Sequence, residues 1–144
     1  MDKPEWFYRQ SGVIPYRLRQ GGVEVLLVTN RRNRRWVIPK GIIEPGLSAA
    51  ASAQVEAWEE AGLRGVLQPQ PVGEYRYAKW SGECTVQVFL LAVTAAADVW
   101  PEAGIRRREW LRPEEAAARV REPELAGMLA GLGALLGAAE GKEG

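Results

Sequence analysis

The segment from residue 41 to residue 63 constrains the chain most, because it places three glutamates on one face of a predicted helix. Glu56, Glu59 and Glu60 lie at i, i+3 and i+4, and side chains at these spacings project in one direction. Unneutralised, each pair of carboxylates would cost the helix roughly a few tenths of a kcal/mol. A hard cation reverses this cost, since Mg²⁺ and Mn²⁺ prefer carboxylate and carbonyl oxygens. The segment predicts a metal-dependent enzyme acting on a phosphate anhydride, with a solvated helix face as the alternative.

The composition excludes several kinds of catalytic site. The 144 residues include no histidine and one cysteine, Cys84. Zinc sites built from His and Cys, His-based catalytic triads and structural disulfides are therefore excluded. Cys84 lies in an apolar, strand-like run, which favours a buried core thiol over a nucleophile. Metal binding and acid–base chemistry are left to Asp, Glu, Lys, Tyr or the backbone.

Length and charge favour one domain acting on a small molecule. Residues 1–136 are expected to form a single domain, and residues 137–144 a flexible C-terminal tail. The N-terminus lacks the profile of a secretion signal, and no apolar run approaches the ~20 residues of a membrane span. With a lone thiol, this predicts a cytoplasmic protein without membrane contact. The net charge of +1 does not favour a nucleic-acid partner; oligomeric state is open, and a homodimer is compatible with the sequence.

Apolar runs and turn residues predict a layered α/β or α+β domain with a mixed sheet. Strands are expected at 11–18, 23–29, 72–77, 84–94 and 108–111. The segment 36–41 should contain a further short strand that Pro39 ends, because proline removes a ladder donor. The main helix should begin at an N-cap on Ser48, reach about Ala61 and end at a left-handed Gly62. Its predicted packing face consists of Ala51, Val55, Trp58 and Gly62.

Two prolines and a leucine stripe predict the last helices. Pro113 and Pro123 each suit the first turn of a helix. The leucines at 125, 129, 132, 135 and 136, with Met128, recur at helical spacing. Packing into the core is favoured for this stripe over a partner surface.

The motif between Gly41 and Leu63 is similar to the box of the Nudix hydrolases. That box runs Gly, five residues, Glu, seven residues, Arg-Glu, an aliphatic residue, any residue, Glu-Glu, any residue, Gly and an aliphatic residue. The chain matches it at Gly41, Glu56, Ala57, Glu59, Glu60, Gly62 and Leu63. It departs from the box at two positions: Leu47 occupies the position of the first Glu, and Val55 occupies the position of the Arg. In the family this Arg orients a catalytic glutamate. The resemblance implies an α/β/α sandwich, with a central mixed β-sheet flanked by helices.

Similarity to one branch of that family extends over roughly residues 11–129. The segments 36–41, 72–73 and 106–111 resemble the diphosphoinositol polyphosphate and diadenosine polyphosphate phosphohydrolases. This implies a divalent-metal-dependent pyrophosphohydrolase that cleaves a phosphoanhydride in a nucleoside diphosphate-X type compound. Residues 81–84 lack the basic side chains of that branch, which weakens the case for an inositol substrate. Leu47 and Val55 leave the alternative of a catalytically weak module that binds nucleotides or a protein.

The resemblance also implies roles for the acidic residues. Glu56 and Glu60 would be the main ligands of Mg²⁺ or Mn²⁺, together with the backbone carbonyl of Lys40. Glu59 would be the general base, with a place among the metal ligands as an alternative. A carboxylate held among other carboxylates can have a raised pKa, which suits a base near neutral pH.

Basic residues near the motif are candidates for substrate binding, since arginine matches phosphate in a bidentate way. The candidates are Arg31, Arg32, Lys40, Gly41, Arg106 and, less favoured, Arg9. Arg106 is included because it matches a phosphate-binding position of the resembling branch. Solubilising loop charge is the alternative for the basic residues. Trp80 and Trp100 could stack on a nucleobase, although packing is the simpler explanation.

Overall fold

The computed structural model of the protein describes the backbone of residues 3–143 and the side chains of residues 3–137. Within this range a short 3-10 helix, Glu5–Tyr8, precedes eight strands and four α-helices. The strands are β1 (Arg9–Arg19), β2 (Gly22–Thr29), β3 (Trp36–Val37), β4 (Lys40–Ile42), β5 (Leu63–Leu67), β6 (Gly73–Lys79), β7 (Gly82–Ala96) and β8 (Arg108–Leu111). The helices are α1 (Ala49–Ala61), α2 (Pro113–Arg119), α3 (Pro123–Ala130) and α4 (Leu132–Glu143).

The strands form one mixed sheet. Its path is β3-β2-β1-β7-β5, with β4 paired to β1, β6 to β7 and β8 to β2. β1 and β7 are parallel, from Arg9 opposite Thr85 to Tyr16 opposite Ala92. The remaining pairs are antiparallel. The predicted α/β class with a mixed sheet is confirmed.

Helices cover both faces of this sheet. Successive residues of a strand point to opposite faces, so Val13 packs in the core with α1 while Ile14 packs in the core with α2, α3 and α4. Leu26 and Leu27 divide between the same two cores. Burial on both faces explains the continuous apolar runs of the central strands. No helix of the described backbone is both long and apolar enough to cross a membrane.

α1 begins and ends where predicted, but its packing face differs. Ser48 accepts a hydrogen bond from the N–H of Ala51 at 3.0 Å, and Gly62 adopts φ +68° just past the last turn. The buried side chains at helical spacing are Ala53, Ala57 and Ala61. Of the predicted stripe (Ala51, Val55, Trp58 and Gly62), Val55 is 42% exposed and Gly62 alone is buried. Small side chains let the helix lie close to β1, so the bulkier residues face outward.

The other predicted elements are confirmed with local changes. The short strand expected to end at Pro39 is β3, and a separate strand, β4, begins at Lys40. Strand β5 was not predicted. The leucine stripe packs in the core as expected, but Gly131 divides it between α3 and α4. The tail expected at 137–144 covers the last turns of α4. Its side chains from Ala138 lie outside the described residues, so the tail and the domain boundary stay predictions.

Replacing Gly62 by alanine is expected to destabilise the domain by more than about 1 kcal/mol, because a residue with a Cβ is strained at positive φ. The new Cβ would also lie 2.9 Å from Cβ and Cγ of Trp100. Urea denaturation followed by circular dichroism measures the change. Gly133→Ala is the matched control, since its Cβ would meet no atom within 4 Å and alanine favours a helix. An unchanged urea midpoint for Gly62→Ala would contradict this geometry.

Candidate functional site

The candidate site lies where the last turns of α1 meet β4. The backbone N–H of Lys40 donates to Oε1 of Glu60 at 3.0 Å. Bonds from Val13 to Pro39 and from Ile43 to Arg9 show that alternate residues of this segment pair with β1. The N–H and C=O of one strand residue point to the same side, so the carbonyl of Lys40 also faces α1. One strand edge thus brings a peptide oxygen to the acidic face of the helix.

Glu56 lies directly against Gly41. A Cβ on Gly41 would overlap the carboxyl group of Glu56, which explains why the motif begins with glycine. Among the described residues, the Glu56 carboxylate has no hydrogen-bond donor and no ion-pair partner. Burial, followed by the charges of Glu60, Glu59 and Glu102, raises the pKa of Glu56 to about 8. The buried negative charge of Glu56 therefore has no ion-pair partner among the described residues to neutralise it.

Glu60 is buried and held on both oxygens. The residue is 9% exposed, with Oε1 accepting from the Lys40 N–H and Oε2 paired with Nη2 of Arg106 at 2.9 Å. Burial raises the pKa of Glu60, while the Arg106 guanidinium and the Lys40 N–H act against the rise. The side chain is therefore fixed relative to β4.

Arg106 bonds protein groups around Glu60, and its predicted phosphate contact stays a prediction. It is 8% exposed, and all three guanidinium nitrogens are engaged, with Oε1 of Glu102 at 2.7 Å, the carbonyl of Thr29 at 2.8 Å and Oε2 of Glu60 at 2.9 Å. These three bonds use three of the five guanidinium N–H groups, and the side chain is held among the acidic residues. Glu102, which the sequence reasoning missed, joins the acidic group through Arg106. The spacing of four residues between Glu102 and Arg106 was the available signal.

Glu59 is exposed and lies at the edge of the group. Its backbone carbonyl accepts from the N–H of Glu102 at 3.1 Å, and its charge helps to raise the pKa of Glu56. In the range 3–137, no three His, Cys, Asp or Glu side chains are placed to hold a metal ion together. The carboxylates approach one another without forming a closed ligand set, so the predicted ligands remain predictions.

The ammonium group of Lys40 lies against Tyr77, outside the acidic group. Its Nζ donates to the Tyr77 hydroxyl at 2.9 Å, and that hydroxyl donates to Oε1 of Gln10 at 2.8 Å. Burial is the main cause that lowers the pKa of Lys40 to about 8. Tyr77 and Gln10 belong to no recognised sequence motif, so the sequence alone did not indicate a role for them.

The arginine-rich loop begins beside the acidic group. Arg31 is 72% exposed at its side chain, with Nη2 lying 4.0 Å from Oε2 of Glu102. Arg32 is exposed in the same turn. Oδ1 of Asn30 accepts from the N–H groups of Arg34 and Arg35, which shapes the loop. Arg31 therefore lies near the candidate site, and Arg32 follows it.

The other three candidates have structural contacts. Arg9 pairs with Glu5 at 3.7 Å, at the start of β1. Trp80 packs edge-on against Phe7 and Tyr8. Trp100 donates its indole N–H to the carbonyl of Glu60 at 2.9 Å. Packing thus accounts for both tryptophans.

Comparison with known proteins identifies the family, because the family model of the NUDIX domain matches residues 8–132. The chain belongs to the Nudix family. Nudix hydrolase 12, mitochondrial, of Arabidopsis thaliana is 34% identical over an alignment that covers 74% of this chain and 63% of that protein. Diphosphoinositol polyphosphate phosphohydrolase 3-beta of Bos taurus is 29% identical, covering 78% of this chain and 69% of that protein.

A solved structure shares the Nudix fold. The Ap4A hydrolase of C. elegans in a binary complex has a TM-score of 0.77 at 22% sequence identity, covering 91% of this chain and 98% of that one. The chain spans less than two thirds of the length of Nudix hydrolases 12 and 13 of Arabidopsis, both of which carry the word mitochondrial in their names. The cytoplasmic location and the homodimer stay predictions for this Nudix chain.

The metal-free Nudix chain should lose stability as the pH rises from about 4.5 to about 8, because the pKa of Glu56 is raised from 4.5 to about 8. Between these values the folded state keeps a proton that the unfolded state releases, so stability is present at low pH and lost at high pH. Glu56→Gln should remove this part of the dependence. The melting temperature measured in chelator at pH 5 and pH 8 should fall less for Glu56→Gln than for the parent.

The control for this experiment is Glu44→Gln. Glu44 is an exposed glutamate in the loop before α1, and its replacement should leave the parental fall unchanged. Equal falls for Glu56→Gln and the parent would show that Glu56 does not hold the proton.

Proposed function

We propose that this chain is a divalent-metal-dependent pyrophosphohydrolase that cleaves a phosphoanhydride in a nucleoside diphosphate-X type compound. The observation that carries the proposal is the Glu56 carboxylate, which is half-buried and lies against Gly41 beside the acidic end of α1. Within residues 3–137 it has no hydrogen-bond or ion-pair partner. An unpaired carboxylate is unfavourable when buried, and a divalent cation would supply the missing charge. Family membership and the hydrolase names of the relatives support the same reaction class.

Mg²⁺ or Mn²⁺ fits the donors present, since these are all oxygens. Glu56, Glu60 and the carbonyl of Lys40 would hold the ion; a ligand role for Glu59 is the alternative to its role as general base. Both oxygens of Glu60 already accept one bond each, but a carboxylate oxygen has two acceptor sites. When bound, the cation polarises the phosphoryl group and lowers the pKa of a bound water.

The remaining chemistry falls to side chains around these ligands. Glu59 is exposed and lies next to Glu56, so it suits a general base that accepts a proton from the attacking water. Arg31 and Arg32 are exposed at the start of the basic loop, and in this proposal they would contact substrate phosphates. Arg106 is less favoured for substrate contact than Arg31 and Arg32, because its buried guanidinium already bonds Glu60, Glu102 and Thr29.

Arg106 is also relevant to Val55, which stands where the family motif has an arginine. Val55 is exposed on α1 and offers no charge to a neighbouring glutamate. The guanidinium of Arg106 reaches Glu60 from a segment 46 residues away. Arg106 thus gives the predicted ligand Glu60 a basic partner, but within residues 3–137 no bond joins it to Glu59, so the catalytically weak binding module stays the alternative.

Two substrate classes are compatible with the basic loop. A dinucleoside polyphosphate is supported by the fold shared with the Ap4A hydrolase of C. elegans. A diphosphoinositol polyphosphate is supported by the relative from Bos taurus. Exposed Arg31, Arg32 and Arg34 offer bidentate contacts to either polyanion.

Purified protein should hydrolyse at least one member of a panel of dinucleoside polyphosphates and diphosphoinositol polyphosphates, and only with Mg²⁺ or Mn²⁺. Glu59→Gln should lower kcat by about 10²-fold or more, the scale of general-base catalysis, while circular dichroism stays unchanged because the side chain is exposed. Product identification by mass spectrometry shows which phosphorus is attacked. Glu83→Gln, also exposed, is the control. No turnover of any panel member, with ligand binding that a chelator does not affect, would favour the binding module.

Gly41→Ala should weaken Mn²⁺ binding by about tenfold or more, the scale seen when support for a metal ligand is lost. The added methyl group would overlap the Glu56 carboxyl group and displace it. Free Mn²⁺ measured by electron paramagnetic resonance gives the affinity. Gly21→Ala is the matched control, because its Cβ would meet no atom within 4 Å. Parental affinity in Gly41→Ala would argue against Glu56 as a ligand.

A further inference from the structure

The connection from β7 to β8 caps the end of α1 completely. The last carbonyls of a helix lack partners within the helix. Here four successive carbonyls accept bonds from residues 97–108, which we term the capping segment. Glu59 accepts from the N–H of Glu102 at 3.1 Å, Glu60 from Nε1 of Trp100 at 2.9 Å, Ala61 from Nη1 of Arg108 at 2.6 Å and Gly62 from the N–H of Ala97 at 2.9 Å.

Two side chains of the capping segment, Trp100 and Arg108, stack on each other at the C-terminal end of α1. The guanidinium carbon of Arg108 lies 4.0 Å from the ring centre of Trp100. Trp100 packs so closely on Gly62 that a Cβ there would lie 2.9 Å from its Cβ and Cγ. Arg108 also donates to the carbonyl of Ala97, which connects the stacked pair to the start of the capping segment. The indole N–H and the guanidinium therefore have fixed directions toward the helix.

The same segment also holds the side chain of Glu60. Arg106 pairs with Oε2 of Glu60 and with Glu102, while Trp100 bonds the carbonyl of Glu60. One stretch of chain thus fixes both the backbone and the carboxylate of a predicted metal ligand.

The capping bonds matter because the side chains on the inner face of α1 are small. Ala53, Ala57 and Ala61 form that face, and methyl groups interdigitate little with the residues beneath them. Large side chains that fit into matching holes would lock a helix along its axis, and α1 lacks them at these positions. Bonds at the helix end therefore help to hold the last turn of α1 where Glu60 can accept the N–H of Lys40.

We propose that Trp100 and Arg108 are positioning residues for the metal site, and that they hold the last turn of α1 where Glu60 and the Lys40 carbonyl face each other. The proposal rests on the proposed function, since it assumes that a cation binds these oxygens. Trp100 and Arg108 act through α1 and touch neither the cation nor the substrate. Loosening them lowers metal affinity at temperatures where the domain remains folded.

The test is Mn²⁺ affinity of Trp100→Phe, which keeps an aromatic ring and removes the indole N–H. Electron paramagnetic resonance of free Mn²⁺ should show binding weakened about tenfold, with an unchanged circular dichroism spectrum. Hydrogen exchange should become faster in the last turn of α1. Arg108→Lys, which keeps the charge and loses the planar stack, should show the same direction of change and keeps the proposal testable if Trp100→Phe does not fold.

Trp58→Phe is the matched control. Trp58 lies on α1 and stacks on Arg64 at 4.1 Å, but within residues 3–137 its indole donates no hydrogen bond. Its replacement should leave Mn²⁺ affinity at the parental value. The proposal would be overturned by equal losses of Mn²⁺ affinity in Trp58→Phe and Trp100→Phe. It would also be overturned by parental affinity in both Trp100→Phe and Arg108→Lys. Neither result would affect the proposed function. A parent chain that binds no Mn²⁺ would overturn the proposed function, and this inference with it.

Discussion

The buried carboxylate of Glu60 joins three parts of the chain that are distant in sequence. It accepts the N–H of Lys40 from β4 and pairs with Arg106 from the capping segment, while its own backbone belongs to α1. Burying a carboxylate is unfavourable unless its bonds are all made. Displacement of any one of the three segments would leave a charge without its partner. The mutual placement of α1, β4 and the capping segment therefore depends on this one group.

The limits of α1 could be predicted because they depend on local chemistry. A serine that bonds the first turn and a glycine that takes positive φ act through neighbouring residues, and Ser48 and Gly62 do both. The packing face could not be predicted in the same way. Which side of a helix is buried depends on its neighbours, and β1 receives the alanines of α1 while Val55 stays exposed. Strand β5, with a glycine at its centre, carried a weak local pattern.

The candidate site was partly predictable for the same reason. The shared face of Glu56, Glu59 and Glu60 follows from helix geometry alone, whereas the backbone carbonyl of Lys40 was implied only by the family resemblance. The role of Arg106 could not be derived from spacing, since its partners Glu60 and Thr29 lie 46 and 77 residues away. Resemblance to one branch of the family suggested a phosphate contact, which stays a prediction. The structure adds that the buried guanidinium is a partner of Glu60 and Glu102.

The parallel pairing of β1 with β7 has a consequence for synthesis of the chain. Arg9 pairs with Thr85 and Tyr16 with Ala92, so the central ladder closes a long loop, which slows folding. A nascent chain must expose one edge of β1 until β7 has left the ribosome. The β1–β2 hairpin and α1 are local and can form earlier. Chaperone dependence during translation should therefore concentrate on the open edge of the first strand.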